Sequence, residues 1–426
     1  MEILVNKNID EKIYYDRSNK GIKVFFMPKV GFTKKYAVFS TDFGSIDLEF
    51  KVDNEDGTRI PEGIAHFLEH KLFEDEKENI FEQFSDYGAN VNAFTSFNQT
   101  SYLFNTVDNF YECLELLVKF VQNPYFTDDN VNKEKGIIGQ EIKMYDDNPS
   151  WRVMFNCLKA MYKYHPIKED IAGTIESIDT INKDILFKAY EAFYNPSNMI
   201  LFVVGDLEFE KVMESVNKVE RDFELVNSKV ERIFMDEPQE VNESFIEAKM
   251  MTSKPIFYFG IKDNHLGLTG NEAAKNDMIT NIIHDMLFSP SAEFYNELYN
   301  VGLIDSSFGS YFTGKRNYGH SLIVGQSNEV KEIQDRILML LKNKAEDILK
   351  EEDFLRIKKK TIGDFVTGFD SIEFIANTFT ELYFDNFNLL NFLDLLEEVK
   401  YVDVVSRFNE HFRADRLVLS LINPIE

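Results

Sequence analysis

Apolar and polar residues follow two periods along this chain, one typical of β-strands and one typical of helices. Runs rich in β-branched and aromatic residues at 21–28, 34–50 and 90–107 predict strands. Apolar residues spaced three and four apart at 110–122 and 130–145 predict amphipathic helices. Strands and helices mixed in this order predict an α+β fold, with helices packed on one face of a mostly antiparallel sheet.

Two segments about half the chain apart repeat one pattern. One begins at Asp184 (DILFKAYEAFYNPSNMILFVVGDL) and the other at Asp403 (DVVSRFNEHFRADRLVLSLINPIE). Each contains an amphipathic helix that ends in an aromatic residue, then a polar break and an apolar strand. Phe193 and Phe412 are therefore equivalent positions, 412 − 193 = 219 residues apart. This spacing indicates that the chain contains a duplicated unit.

The duplication predicts two α/β sandwich-like halves. The stretch 226–244 is polar and contains Pro238, so it is the predicted linker. The N-terminal half then covers residues 1–225, and the C-terminal half covers residues 245–426.

The charge of the chain excludes some classes of function. Lysine and arginine total 46 against 73 aspartate and glutamate residues, which gives a net charge of −27. A phosphate backbone or an anionic membrane attracts basic surfaces, so binding to nucleic acid or to a membrane is not expected. Two cysteines, no secretory pattern in MEILVNKNIDEKIYY and the shortness of the apolar run at 199–205 predict a cytoplasmic protein.

The pentapeptide His66-Phe67-Leu68-Glu69-His70 carries the most specific chemistry in the sequence. On a helix, His66 and His70 lie roughly 40° apart, so both imidazoles can chelate one metal ion. Glu69 then points to the same space without being a ligand. This is the H-x-x-E-H arrangement of zinc hydrolases, in which the metal lowers the pKa of its bound water and the glutamate takes the proton.

The alternative to a metal site is a surface helix with two solvated histidines. The flanking residues Ile64, Ala65, Leu72 and Phe73 are apolar, which predicts a helix that is buried on nearly all sides. Unpaired histidine and glutamate side chains are costly to bury, so these flanks favour the metal site. The corresponding helix of the second half has His284 without a second histidine, which predicts a catalytically silent second half.

A third metal ligand is expected on the helix predicted at 130–145. Val131, Glu134, Ile138 and Glu141 follow one another at steps of three or four, so both carboxylates lie on an otherwise apolar stripe. A catalytic zinc site uses three protein ligands and leaves one position open. Either glutamate can supply the third ligand, and the residues alone do not decide between them.

Five strings of the sequence resemble the pitrilysin (insulinase-like) family of zinc metallopeptidases. They are GIAHFLEHKLFE, GANVNAFTSFNQTSYLF, KEKGIIGQEIKMYDDNP, HPIKEDIAGTIESI and FYNPSNMILFVVGD. They are most similar to a bacterial, half-size (YmfH-like) subgroup. The resemblance spans most of residues 20–210 and is limited to topology over the second half.

The resemblance implies a role for each residue of the motif. His66, His70 and Glu141, the second glutamate of E-x-x-x-x-x-x-E, would bind one Zn2+ per chain. Glu69 would be the general base that activates water. Glu134 would stand behind the metal ligands and orient them.

The segment Asn92-Ala93-Phe94-Thr95 matches the family strand that runs beside the zinc. The resemblance implies that Ala93, Phe94 and Thr95 contact an extended peptide substrate, which pairs with the free edge of this strand, and that Asn92 positions the backbone or the substrate. Taken without the family, the alternation in VNAFTSF indicates only a half-buried strand.

The second half departs from the family pattern at one place. Active members often carry an arginine and a tyrosine seven residues apart, which bind the substrate and the developing oxyanion. In FYNELYNVGLIDSSFGSYF, Tyr299 occupies the arginine place, and the tyrosine place falls near Asp305 or Ser306. Arg316 and Tyr318 have the wrong spacing. Transition-state stabilisation is therefore expected from elsewhere, for example from a partner chain.

These observations predict a zinc-dependent endopeptidase that hydrolyses peptides or unfolded segments. Family members close a reaction chamber with four such units, so a chain of two units would form a homodimer or a heterodimer with an inactive paralogous chain. One alternative is a non-catalytic or partner-dependent subunit of a hetero-oligomeric peptide-processing complex, which the intact metal-binding motif disfavours. Another is a metal-dependent hydrolase of a non-peptide substrate, which a strand suited to backbone pairing disfavours.

Overall fold

The structure, a computed structural model, describes residues 1–6, 8–53, 56–76, 79–221 and 229–425. Its strands are β1 (Glu2–Asn6), β2 (Ile9–Arg17), β3 (Lys23–Pro28), β4 (Lys35–Thr41), β5 (Glu49–Val52), β6 (Thr58–Arg59), β7 (Asn90–Thr95), β8 (Thr100–Thr106), β9 (Met199–Gly205), β10 (Val230–Arg232), β11 (Phe245–Met250), β12 (Ile256–Lys262), β13 (Gly309–Gly314), β14 (Gly319–Gln326) and β15 (Leu417–Pro424). Its helices are α1 (Ile64–Leu72), α2 (Ile80–Asp86), α3 (Phe110–Gln122), α4 (Asp128–Asp146), α5 (Pro149–Met161), α6 (Ile175–Asp179), α7 (Lys183–Phe193), α8 (Phe209–Val219), α9 (Gly270–Phe288), α10 (Glu293–Asn300), α11 (Val330–Leu340), α12 (Ala345–Ile348), α13 (Glu351–Gly368), α14 (Ile372–Phe384), α15 (Phe392–Glu398) and α16 (Tyr401–His411).

These elements confirm the predicted α+β fold class. Helix α3 covers the residues that the apolar spacing predicted, and α4 extends the second predicted helix by two residues at its start and by one at its end. The apolar run at 34–50 forms two strands, β4 and β5, instead of one. The chain turns between them at Gly44, where a Cβ atom would lie 2.3 Å from the carbonyl carbon of Phe97.

The described residues form two compact units, and each unit contains segments from both halves of the sequence. Unit 1 consists of Met1–Ile142, Glu169–Phe234 and Gly368–Phe384, and unit 2 consists of Lys143–Lys168, Met235–Thr367 and Asp385–Glu426, in each case as far as the residues are described. The predicted halves at 1–225 and 245–426 concern the duplication of the sequence and stay a prediction. Part of their predicted linker, 226–228, lies outside the described residues.

The main sheet of unit 1 carries helices on both faces. Within the described residues it has the strand order β1-β2-β3-β9-β4-β8-β7, and β3 pairs with β9 in parallel while the other pairs are antiparallel. Phe39 lies opposite Tyr102, whose ring packs against Phe120 of α3. Tyr36, three positions before Phe39 and so on the other face, donates a hydrogen bond to Asn377 of α14. A helix from the second half of the sequence therefore covers the second face of this sheet.

The sheet of unit 2 also carries helices on both faces. Its strand order is β11-β15-β12-β14-β13 within the described residues, with β11 and β15 parallel. Ser321 of β14 contacts His284 of α9 on one face. Ser420 of β15 donates a hydrogen bond to the carbonyl of Val153 in α5, which lies on the opposite face. Helix α5 comes from the first half of the sequence, so the exchange of one helix between the halves is reciprocal.

The described helices also bear on membrane association. None of them combines the length and the apolar composition that crossing a bilayer requires.

Candidate active site

A glycine fixes the start of the helix that carries both histidines of the motif. Gly63 has a φ of +84°, and a Cβ atom at this position would lie 2.4 Å from the carbonyl oxygen of Ala172. Any other residue here would be strained and would clash, so the chain can enter α1 in this direction only with glycine. From this start, the rings of His66 and His70 come to lie on one side of α1, with their centroids 4.5 Å apart.

Helix α4 presents both candidate glutamates to α1. Val131, Ile138 and Ile142 are buried and hold the apolar face of α4 in place. Glu134 lies on this stripe and is only 5% exposed, whereas Glu141 is half-buried. Buried carboxylates need partners. The two glutamates have different partners, which show that they occupy different places at the site.

Glu141 faces both imidazoles of the motif. Its Oε1 lies 3.6 Å from Nε2 of His66, and its Oε2 lies 3.5 Å from Nε2 of His70. One ligand atom from each of the three residues lies within 4.8 Å of the others. Around a tetrahedral zinc ion, with bonds of about 2.0–2.1 Å, neighbouring ligand atoms lie roughly 3.3 Å apart. Two imidazole nitrogens and a carboxylate are also a donor set that catalytic zinc sites use, so these residues fit the metal.

Glu134 lies behind His70 rather than beside both histidines. Its Oε1 is 3.0 Å from Nδ1 of His70, which leaves Nε2 as the nitrogen that faces Glu141. Burial lowers the pKa of His70, but the hydrogen bond to Glu134 and the charges of Glu69, Glu134 and Glu141 outweigh it, so the net pKa is raised. The corresponding Nδ1 of His66 is buried and has no hydrogen-bond partner among the described residues.

Lys71 is a residue of this site that the sequence did not single out. Its side chain is fully buried, forms an ion pair with Glu74 and donates a hydrogen bond to the carbonyl of Asn130, 3.3 Å away. Its ammonium nitrogen also lies 3.9 Å from Oε2 of Glu134. A lysine within a motif of apolar flanks was a signal for such a pairing, because a buried lysine requires a carboxylate nearby.

Glu69, the predicted general base, is held by the neighbouring strand. Thr95 of β7 donates a hydrogen bond from its Oγ1 to Oε2 of Glu69, with an oxygen–oxygen distance of 2.7 Å. The sequence predicted Thr95 as a residue that contacts substrate, and the structure places its hydroxyl on the carboxylate of Glu69. This contact orients the carboxylate of Glu69, and none of the three candidate metal ligands takes part in it.

For the zinc-dependent endopeptidase that the sequence predicts, replacing Thr95 by valine is expected to lower kcat. Hydrogen bonds to charged groups contribute about 1.5–3 kcal/mol, so the loss of orientation at Glu69 should reduce the rate at least about tenfold. Steady-state peptide hydrolysis measures this effect, and Thr95→Ser is the matched control because it keeps the hydroxyl. Equal rates for the valine variant and the wild type would show that the contact has no part in the reaction.

Strand β7 is one of the two edge strands of the main sheet of unit 1, as far as its residues are described. The amide of Ser96 bonds to the carbonyl of Gln99, and bonded pairs alternate along an antiparallel ladder. In this register the amide of Ala93, which lies opposite Tyr102, points away from β8 towards the open edge. The side-chain oxygen of Asn92 accepts a hydrogen bond from this amide at 2.9 Å.

A cavity of about 700 Å³ lies beside these groups within unit 1. It is bounded by α1, the segment that follows it, β7 and α4. The described lining residues are Glu69, His70, Phe73, Glu74, Asp75, Glu76, Asn79, Phe81, Asn92, Ala93, Asn130, Lys133 and Glu134. Of the four residues predicted to contact or position substrate, this lining contains Asn92 and Ala93 but neither Phe94 nor Thr95. Carboxylates outnumber cationic groups along it, which favours neutral or basic side chains in the space.

The sequence departs from the family at an arginine and a tyrosine seven residues apart, and the residues at this place all lie in unit 2. Tyr299 is half exposed on α10 and stacks on Tyr295, with ring centroids 5.8 Å apart. Asp305 forms an ion pair with Lys254 at 3.4 Å. Tyr318 is buried, which disfavours it as a group that contacts substrate.

Comparisons with known proteins agree with this fold and show the family of the chain. The family profile described as "Insulinase (Peptidase family M16)" matches residues 54–175, and the profile described as "Peptidase M16 inactive domain" matches residues 180–361. A Bacillus subtilis protein named "Uncharacterized zinc protease YmfH" is 40% identical over 98% of this chain and 98% of its own length. The chain therefore belongs to peptidase family M16.

A solved structure and a more distant relative extend the comparison. A protein from Alicyclobacillus acidocaldarius, described as an M16-like peptidase, superposes with a TM-score of 0.95 and 32% sequence identity, covering 99% of this chain and 100% of that one. An Arabidopsis thaliana protein named "Probable mitochondrial-processing peptidase subunit beta" is 28% identical over 37% of this chain and 30% of its own length. The similarity to the first confirms the predicted fold, and the match to the second covers only about a third of each chain.

Proposed function

We propose that this chain is a zinc-dependent endopeptidase that hydrolyses peptides or unfolded segments. The observation that carries the proposal is the convergence of one ligand atom each from His66, His70 and Glu141 within 4.8 Å of one another. Glu69 lies on the same helix as the two histidines. Membership of a peptidase family and a relative named as a zinc protease support the same reaction. The expected content is one Zn2+ per chain.

In this proposal, His66, His70 and Glu141 would hold the zinc ion, which would polarise the substrate carbonyl and a water molecule. Glu69 takes a proton from the attacking water and later gives it to the leaving amine. Thr95 keeps the carboxylate of Glu69 in the orientation for this transfer, since its hydroxyl donates to Oε2. Glu134 accepts a hydrogen bond from Nδ1–H of His70 and so directs Nε2 to the metal.

The substrate would bind as an additional strand on β7. The amide of Ala93 offers a donor at the open edge, and the side chain of Asn92 would turn away from it when a substrate carbonyl takes its place. Phe94 and Thr95 would contact the same peptide. The acidic lining of the cavity favours substrates with neutral or basic side chains.

A second chain is part of this proposal. Tyr299 stands where active members often have an arginine, so the group that stabilises the oxyanion would come from a homodimer partner or from an inactive paralogous chain. The plant relative that is named as a subunit supports an assembly of this kind. We also propose that the protein is cytoplasmic, which is consistent with the two buried, unpaired cysteines Cys113 and Cys157.

Metal analysis combined with a peptide-cleavage assay tests the proposal. The purified full-length protein should contain close to one zinc per chain and should cleave quenched fluorescent peptides, alone or with the chain that co-purifies from the native host. Removal of zinc with EDTA should abolish cleavage, and stoichiometric zinc should restore it. A zinc-free protein without cleavage, even with its partner present, would contradict the proposal and favour a non-catalytic subunit.

A further inference from the structure

Lys71 directly follows the H-x-x-E-H motif and has no part in the proposed reaction. Its side chain is fully buried, although an ammonium group is among the most costly groups to remove from water. A buried lysine therefore depends on the groups that compensate its charge. Those groups indicate what the residue does.

Three oxygen-bearing groups surround the ammonium of Lys71. Glu74, just beyond the end of α1, forms an ion pair with it. The carbonyl of Asn130 accepts a hydrogen bond from it at 3.3 Å, and Oε2 of Glu134 lies 3.9 Å away. Asn130 and Glu134 both belong to α4. Lys71 thus links the helix that carries the two imidazoles to the helix that carries the candidate carboxylate ligand.

Glu134 divides its two oxygens between neighbours on α1. Oε1 contacts Nδ1 of His70 at 3.0 Å, and Oε2 faces Lys71. The side chain of Glu134 is 6% exposed, so water competes little for either oxygen. A carboxylate that is attracted at both oxygens is restricted in rotation, and it therefore fixes the plane of the imidazole as well.

We propose that Lys71 is a positioning residue of the metal site, which holds Glu134 against His70 and fixes α1 relative to α4. The bound zinc is then retained longer than it would be by the three ligands alone. The cation itself repels a metal ion, so its expected benefit comes from the geometry that it imposes on the carboxylate. This inference rests on the proposed zinc site and adds a residue that acts through Glu134.

Zinc release from the full-length protein tests this role without any activity assay. The zinc-loaded protein is mixed with excess pyridylazoresorcinol, and the absorbance of the zinc complex gives the release rate. Lys71→Met should release zinc about tenfold faster than the wild type, the lower end of the range for loss of a partner of a metal-bound histidine. Lys71→Arg keeps the positive charge and should stay closer to the wild type. Lys71→Gln can still donate to the carbonyl of Asn130 but lacks the charge, so it should resemble the methionine variant.

The double variant distinguishes positioning through Glu134 from a general loss of structure. If Lys71 acts through this carboxylate, then Lys71→Met combined with Glu134→Gln should release zinc no faster than Glu134→Gln alone. Multiplication of the two effects would overturn the proposal. Wild-type release rates in both Lys71→Met and Lys71→Gln would overturn it as well.

A buried lysine elsewhere in the chain provides the matched control. Lys262 is 2% exposed and pairs with Glu237 at 2.6 Å in unit 2. Lys262→Met should lower the thermal stability but leave zinc release from the folded protein unchanged. Failure of the wild type to bind zinc would refute the proposed function itself, whereas equal release from a zinc-binding wild type and the Lys71 variants would refute only the role of Lys71.

Discussion

Replacing Glu69 by glutamine is expected to abolish nearly all peptide cleavage while leaving the zinc content unchanged. General-base catalysis contributes roughly 10²- to 10⁴-fold to a rate, and glutamine cannot accept a proton from water. We therefore expect kcat to fall by about 10³-fold, which corresponds to about 4 kcal/mol of activation free energy. Peptide hydrolysis and zinc analysis on the same preparation measure both quantities.

The geometry explains why activity and metal content should separate in this variant. Glu69 lies on α1 between the two histidines in sequence, but its carboxylate accepts a hydrogen bond from Thr95. The ligand atoms of the candidate metal site come from His66, His70 and Glu141. A glutamine side chain has the same size as glutamate and can still accept from Thr95, so it should not disturb the ligands.

An exposed glutamate of the same unit serves as the control. Glu82 lies on α2 and is exposed to solvent. Glu82→Gln removes one carboxylate charge, as Glu69→Gln does, and should retain wild-type kcat. Retention of more than about a tenth of the activity in Glu69→Gln would exclude Glu69 as the general base. Loss of zinc from Glu69→Gln would show instead that this residue is required for the metal site.

Helical periodicity made much of the candidate site predictable from the sequence. Positions four apart on one helix place two imidazoles together, and α1 brings the rings of His66 and His70 within 4.5 Å between centroids. The apolar stripe on α4 predicted that Glu134 and Glu141 would face inwards. Their separate positions could not be predicted from the spacing, because seven residues make almost two full turns and give both side chains the same direction. Only the axial position of α4 along α1 brings Glu141 to both Nε2 atoms and Glu134 to the far nitrogen of His70.

Contacts between distant segments lay beyond the sequence pattern. The contacts of Lys71 with Asn130 and Glu134 depend on how α4 crosses α1, and no local period encodes that crossing. The exchange of α5 and α14 between the two halves of the sequence could not be predicted for the same reason, since each helix is amphipathic or apolar whichever sheet it covers. The order of the elements predicted helices on one face of each sheet. In the structure, the second face is covered by a helix that comes much earlier or later in the chain.

The buried ion pair of Asp263 and Arg407 is expected to stabilise unit 2 strongly. The guanidinium donates to both carboxylate oxygens, at 2.5 and 3.1 Å, and to Thr280 at 2.9 Å. Asp263 is 2% exposed and Arg407 is 4% exposed. Burial raises the pKa of Asp263, but hydrogen bonds and charge from His411 and Arg407 outweigh it and hold this pKa well below its usual range. The carboxylate thus depends on its partners to remain charged in the interior.

Replacing Arg407 by methionine is therefore expected to destabilise unit 2 by about 3–5 kcal/mol, because it leaves a buried carboxylate without its main partner. Thermal unfolding should show a transition lowered by roughly 10 °C, given about 2–4 °C per kcal/mol for a unit of this size.

Arg336→Met is the matched control. Arg336 pairs with Glu332 on the surface of α11, and its loss should change the free energy of unfolding by less than about 1 kcal/mol. Combining Arg407→Met with Asp263→Asn removes both charges, so the double variant should be more stable than the sum of the two single effects predicts. A free energy of unfolding for Arg407→Met within 1 kcal/mol of the wild type would show that water or another cation compensates the carboxylate, and the pair would then not be a main source of stability.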